Sequence, residues 1–413
     1  MMNKSIYIVS NLLIFFLILT MNTIYSSLAF GNIPLLIKYI FLSLLILDVF
    51  FCIVVLSKNN YNIYFYLKKY APIFIAMIVY FILSVTMNKI TMSNVINYLL
   101  VPIGLSIIFY SIHNFLDNNY LIKSYIGIVY VLAIVSLFLY ILYITGIIKL
   151  NMSMVISWGD IRSIPGFFGI YFTPQAKVGF LGILIQRNTF IFTEAPMYSL
   201  ILSIAFILNV FKSNITSKDL RKNIILGITI LTTTSTTGLL VIVVSLFLLA
   251  FFKIESKYKY ILAILVVPLV YQVLNIIIIS KMINMNASYS IRLNDFYSGI
   301  QAWLLHPFFG NGLSSTTVIQ SYMDPNRLMI GGNKGFSSGF LSGLSETGIF
   351  GMIIYCVYPC FKIIKSNIKN ISFVILFFIL LFNTIFFLSY VYSFIICFFL
   401  QGEYFYIKDE LKK

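Results

Sequence analysis

Charge is scarce in this chain. Of 413 residues only 10% are Asp, Glu, Lys or Arg, and 60% are hydrophobic. A soluble protein carries roughly 25% charged and about 45–50% apolar residues, so an ordinary water-soluble globule is excluded. Disorder is excluded too, because the apolar residues come in long blocks. Acidic residues are the scarcer sign: 12 Asp and Glu against 28 Lys and Arg, a net charge of +16. In a soluble protein that excess would suggest nucleic acid. In an apolar chain it marks the loops on the cytoplasmic side instead, and no nucleic-acid partner is expected. Cysteine is limited to Cys52, Cys356, Cys360 and Cys397, all in apolar segments, which argues against a disulfide frame or a zinc site. The chain has no phosphate-cradling P-loop, dinucleotide glycine motif or metal-ligand cluster. ATP hydrolysis, nicotinamide chemistry and zinc catalysis find no support, and neither metal nor cofactor is expected. The energy for any reaction must come from an activated substrate or an ion gradient.

What is present is a series of apolar blocks, each near the ~20 residues that cross a bilayer as a helix. They run near 6–30, 33–57, 71–88, 93–112, 124–148, 189–211, 260–280 and 338–361. Two more, 223–252 and 371–404, are too long for one simple crossing. Lysines and Arg221 precede the first of these and Lys253, Lys257 and Lys259 follow it. Both its ends then lie on one side, which requires two crossings with a turn at the run Thr232–Gly238. The expected fold is an all-α polytopic membrane protein, a single domain over 1–413 with about twelve spans (eleven if the last block stays whole). Ser27-Leu28-Ala29 has the spacing of a signal-peptide cleavage site, but the length of the first apolar stretch favours a retained anchor.

This topology leaves two long external segments, 149–188 and 281–337. They hold both tryptophans, Trp158 and Trp303, and four of the five arginines, Arg162, Arg187, Arg292 and Arg327. Long loops are functional or disordered, and aromatic residues with isolated charges read as ordered lids.

Charges at or within apolar spans are expensive and mark candidate sites. Asp48 is expected to form an ion pair with another helix. Glu194 precedes Pro196 at the mouth of a span, seven residues after Arg187. It suits either a carboxylate on a helix dipole or a catalytic or acceptor-binding group. Glu346 follows Ser338, Gly339, Ser342 and Gly343, whose spacing gives a small helix face for close packing. Arg292 offers a fork of donors suited to a phosphate or diphosphate; a headgroup anchor or a pair with Asp295 is the alternative. His306, before Pro307, is either an acid/base group or a structural turn residue. His113 looks incidental.

Four stretches resemble the bacterial O-antigen polymerase and ligase superfamily. They are Arg187 through Glu194-Ala195-Pro196, the Thr/Ser-rich break Leu231–Leu240, Arg292 followed by Trp303 and His306-Pro307-Phe308-Phe309-Gly310-Asn311-Gly312, and Ser337-Ser338 followed by Glu346-Thr347-Gly348-Ile349-Phe350-Gly351. The resemblance implies a multi-pass protein of the bacterial inner membrane with its site facing outward. The substrates would be undecaprenyl-diphosphate-linked glycans as donor and acceptor, with membrane lipid and a chain-length regulator protein as further partners. By the same resemblance Arg187 and Arg292 would hold the diphosphate, and Glu194, or else Glu346, would act as base. Asp295 is a weaker third candidate for that base. Arg162, Arg327, Trp303, His306 and Asp295 would line the substrate. Ser337-Ser338 stands where the ligases tend to carry a His-Asn-like pair, which favours a Wzy-type polymerase. A lipid-linked glycan flippase is the rival from another class, although its loops should be short on both sides.

Overall fold

The computed structural model describes residues 2–58, 63–87, 91–115, 117, 119–158, 161–180, 183–212, 215–253, 286–329 and 335–402. Among them the expected blocks are helices: α1 (Met2–Leu19), α2 (Ile33–Lys58), α3 (Ile63–Met87), α4 (Met92–Asn114, with a π-turn at Ile96–Leu100), α5 (Tyr120–Ile144) and α6 (Ala195–Val210). The block 223–252 is two helices, α7 (Ser217–Thr232) and α8 (Thr236–Lys253), broken at the Thr-rich run as its flanking charges require. A capping box between Thr216 and Asp219 starts α7. After it come α9 (Asn286–Leu305), α10 (Thr316–Gln320), α11 (Pro325–Met329) and α12 (Gly339–Ser366). The block 371–404 also divides, into α13 (Ile371–Asn383) and α14 (Tyr390–Gln401). The block 260–280 lies outside the described residues.

Four helices among the described residues are long and apolar enough to span a bilayer, and several shorter apolar ones pack with them. The chain is an all-α polytopic membrane protein. Lipid tails are as apolar as Leu, so close packing rather than escape from water holds such helices together. Aromatic contacts dominate here: Phe41 stacks on Tyr390 at 4.4 Å, Tyr125 on Phe394 at 5.4 Å and Phe192 on Tyr198 at 5.0 Å.

Two expectations need correction. The first block ends as helix at Leu19, because Thr20 and Thr23 turn their hydroxyls back onto the Leu17 and Leu19 carbonyls. The chain then runs as an edge that bridges Leu28 to Ile156 and Thr23 to Phe192. Asp48 forms no ion pair with another helix among the described residues; fully buried in α2, it accepts from the Ser10 hydroxyl of α1 at 2.8 Å. The segment 149–188 also carries strands, β1 (Met152–Ile156), β2 (Arg162–Phe167) and β3 (Tyr171–Phe172) in one antiparallel sheet, and the hairpin β4 (Val178–Phe180) and β5 (Ile183–Ile185). In β2 the alternation of a strand puts Arg162, Ile164 and Gly166 on the covered face and Ser163 and Pro165 outside. Ile164 closes a small core with Ile24, Ile156 and Phe172.

Candidate functional site

Pro196 sits in the first turn of α6, where its missing N–H costs nothing. The residues before it are not helical, so Arg187 and Glu194 do not share a helix face. They are brought together by the turn instead. Glu194 is the N-cap of α6 with extended backbone, yet its carboxylate makes no capping bond. The Ala195 N–H donates instead to Gln175 Oε1 at 2.9 Å. That substitution leaves the Glu194 carboxylate free to face the strand layer. Its Oε1 accepts from Trp158 Nε1 at 3.0 Å, with Arg162 Nη2 at 3.9 Å. No hydrogen bond from the described residues reaches Oε2.

Arg187 is anchored from the other side. Its Nε donates to the Thr233 carbonyl at 3.2 Å, and the Asn188 N–H donates to the Thr232 carbonyl at 3.0 Å. The Thr-rich break between α7 and α8 thus serves as a rack for the arginine. Neither terminal nitrogen of Arg187 bonds to the described residues. Arg292, on α9, donates through Nη1 to Asn383 Oδ1 at 3.2 Å, which ties it to the end of α13. Asn383 is itself fixed by donating Nδ2 to the Ile379 carbonyl at 2.9 Å.

Burial pushes the Arg187 guanidinium down to about 10; Glu194 opposes that shift and the Arg292 charge adds to it. Burial raises the Glu194 carboxyl, against the Trp158 hydrogen bond and the charges of Arg162 and Arg187. Burial also lowers Arg292, opposed by Asp295. Arg162 keeps Nε and Nη2 buried without a hydrogen-bond partner among the described residues. Three guanidiniums with spare donors and one carboxylate with a spare oxygen give a local excess of two positive charges. That arrangement suits a dianion rich in oxygen, and a hydroxyl that must lose a proton.

The other candidates belong to a different assembly. Asp295 does not pair with Arg292. It accepts from Arg327 Nη1 at 2.7 Å and from the Ser337 N–H and hydroxyl at 3.0 and 2.6 Å, with both charged side chains buried. Glu346 accepts from the Ser342 hydroxyl at 2.7 Å, Tyr98 hydroxyl at 3.0 Å and Ser314 N–H at 3.0 Å. Trp303 donates its indole N–H to the Pro307 carbonyl at 3.1 Å, and His306 is exposed on the turn. Here the third and fourth stretches interlock, backbone to backbone. Asn311 N–H donates to Ser345 O, Gly312 N–H to Glu346 O, Ile349 N–H to Pro307 O and Phe350 N–H to Phe308 O, at 2.8, 3.2, 2.9 and 3.1 Å.

Residues 223–356 match the family model described as O-antigen ligase. The match is consistent with a member of the O-antigen polymerase and ligase superfamily, as the residues themselves suggest. It spans from α7 through the Thr-rich rack, Arg292 and the interlocked loops into α12. Arg162, Arg187 and Glu194 precede the matched region. The matched family is one of glycosyl-transfer enzymes, and the match covers about a third of the chain. A search of curated proteins finds no match.

Sequence reasoning missed Asn383, Gln175 and Tyr98. Asn383 carried a signal, as the polar residue that closes the apolar run 371–382. Gln175 and Tyr98 carried none, because their roles depend on contacts between distant segments.

Proposed function

We propose that the chain is a polysaccharide polymerase that joins undecaprenyl-diphosphate-linked repeat units at the outer face of the bacterial inner membrane. The observation that carries this reading is the convergence of Arg162 and Arg187 on Glu194, with Arg292 near enough to Arg187 for its charge to be felt, all three with donors unused among the described residues. The acceptor unit's hydroxyl oxygen attacks the anomeric carbon of the donor glycan and passes its proton to Glu194 Oε2. The bond from that carbon to the diphosphate oxygen breaks, and its electron pair leaves with the undecaprenyl diphosphate. Charge grows on the leaving diphosphate, and preorganised guanidiniums stabilise it most at that point. Raised by burial, the Glu194 carboxyl is a stronger base than an exposed one, and its open oxygen gives the proton a place to go. Trp158 orients the carboxylate through its indole N–H.

The ligase reading has one specific point in its favour, the description of the matched family. Against it, Ser337-Ser338 replaces the His-Asn-like pair, and the Ser337 hydroxyl is committed to Asp295. The test uses purified full-length protein in liposomes with the cognate synthetic undecaprenyl-diphosphate repeat unit, products being sized by gel and mass spectrometry. A ladder of lipid-linked oligomers that disappears in Arg292→Ala is expected. Transfer only to added lipid A core would establish a ligase, and movement of the intact lipid without products a transporter.

A further inference from the structure

The membrane face opposite the arginines has its own cavity. α13 rises from residue 371 to Asn383 beside Arg292, and α14 returns to end at Gln401 and the left-handed Gly402. Gln401 therefore lies at the far end of the bundle. There a cavity of about 380 Å³ opens between the ends of α3, α12 and α14. Lys69, Lys362 and Lys365 line it, and no carboxylate does among the described residues. Tyr358, Phe361, Lys362 and Lys365 follow one stripe of α12, at the i, i+3, i+4, i+7 spacing of a helix face. Lys69 comes from a distant helix and donates to the Gln401 carbonyl at 3.2 Å.

Loop lysines on this face are expected from topology alone. The amide of Gln401 is not. Its side chain is only 7% exposed, its Oε1 accepts from the Tyr70 hydroxyl, and its Nε2 has no acceptor among the described residues. A buried amide N–H left unpaired is costly. Here it lines a cavity already walled by ammonium groups, so every unused polar group seeks an acceptor and the charge seeks an anion. Phe361, next to Lys362, is 60% exposed on the outer surface of a membrane-spanning helix. A ligand seated on the lysines and passing outward would lie along that ring.

We propose that this cavity binds the phosphate of an anionic phospholipid headgroup, with Lys362, Lys365 and Gln401 Nε2 as donors and the acyl chains against Phe361. Basic pockets between membrane helices take such headgroups, each lysine strengthening binding by about five-fold. The assignment is independent of the reaction at the opposite face.

The experiment is native mass spectrometry of the full chain released from nanodiscs of equimolar phosphatidylglycerol and phosphatidylcholine. Wild type should retain phosphatidylglycerol in preference, by about ten-fold or more. Lys362→Gln/Lys365→Gln should bring the ratio close to one, while Lys362→Arg/Lys365→Arg keeps it. Gln401→Leu should lower retention without changing charge. Lys218→Gln/Lys222→Gln, on the same face outside the cavity, should leave the ratio unchanged and guards against a general charge effect. Equal retention in wild type and the Gln double variant would overturn the site. Displacement by millimolar inorganic phosphate with no preference between the lipids would overturn the lipid and leave a site for soluble phosphate.

Discussion

Replacing Gly348 with alanine tests whether the interlocked loops hold the external end together. Gly348 lies inside α12 at φ 63° and ψ −171°, a region open essentially to glycine alone. Forcing an alanine there costs about 1–3 kcal/mol. A methyl at this position would also lie 2.4 Å from the carbonyl carbon and oxygen of Phe308. That atom pair is backbone and cannot swing away, so the loop must lift. Lifting it breaks the two bonds that flank Gly348, from Ile349 N–H to Pro307 O and from Phe350 N–H to Phe308 O. At about 1 kcal/mol net for each, the total comes to roughly 3–5 kcal/mol. Gly310, at φ 76°, faces the Glu346 carbonyl from the other side, where an added methyl would collide with it, and its alanine variant should behave alike. The assay is thermal unfolding of the purified chain in detergent, with Gly127→Ala as control. Gly127 lies in α5 with nothing among the described residues within 4 Å of an added methyl, so the control should match or exceed wild type by up to ~1 kcal/mol. A Gly348→Ala midpoint indistinguishable from wild type would refute the interlock.

Three further outcomes follow from the same geometry. Glu194→Gln retains an acceptor for Trp158 but no base, so polymerisation should fall by about 10²–10⁴-fold. In wild type the rate should rise with pH through a value above the ordinary carboxylate range, because burial raises this carboxyl, and a profile centred on an exposed carboxylate's pKa would remove Glu194 from the role. Asn383→Ala should raise the KM for the lipid-linked donor, as Arg292 loses the acceptor that aims it, with Asn383→Asp restoring it; equal KM values for all three proteins would show that Arg292 needs no guide. Asp219 is held down at about 2: burial works to raise it, but Lys212 and both groups of Thr216 prevail. Its stabilisation is present above the unfolded value of 3.8 and is lost as pH falls towards 2. Asp219→Asn should therefore lower the unfolding midpoint equally at pH 6 and 8, and the gap should close only below pH 4.

The helices were legible because long apolar runs can do little else in a bilayer, and the charges flanking 223–252 were enough to divide that block. The strands of 149–188 were not legible. β2 reads Arg-Ser-Ile-Pro-Gly-Phe, in which alternation is masked by a proline and a glycine facing opposite sides. The first block misled because its apolar residues continue to Phe30, while Thr20 and Thr23 end the helix by taking its last carbonyls. Arg187 and Glu194 were found from sequence, but the agent joining them was not. Gln175 caps α6 from 20 positions away and frees the carboxylate. The Thr-rich break was recognised as a turn, whereas its use as a carbonyl rack for Arg187 depends on tertiary contact. The glycines of the third and fourth stretches looked like two separate motifs. They are one contact seen from both sides, since each admits the other's backbone.

The placement of Arg292 depends on a clamp one turn away. Asp295 follows it on α9 and is pinned by Arg327 and by Ser337, so α9 is fastened to α11 and to the start of α12 beside the arginine. The two charges are 1% and 7% exposed, and breaking one side of such a pair strands a charge at a cost of about 3–5 kcal/mol. Asp295→Asn should accordingly lower the thermal midpoint and also raise the KM for the lipid-linked donor, because Arg292 shifts with its helix. Removing both charges together, in Asp295→Asn/Arg327→Gln, eliminates the stranded cation and should recover part of both losses. If Arg327 instead served the substrate directly, the double variant would be no better in KM than the single one, however much stability it regained. Recovery of both together is what a clamp requires.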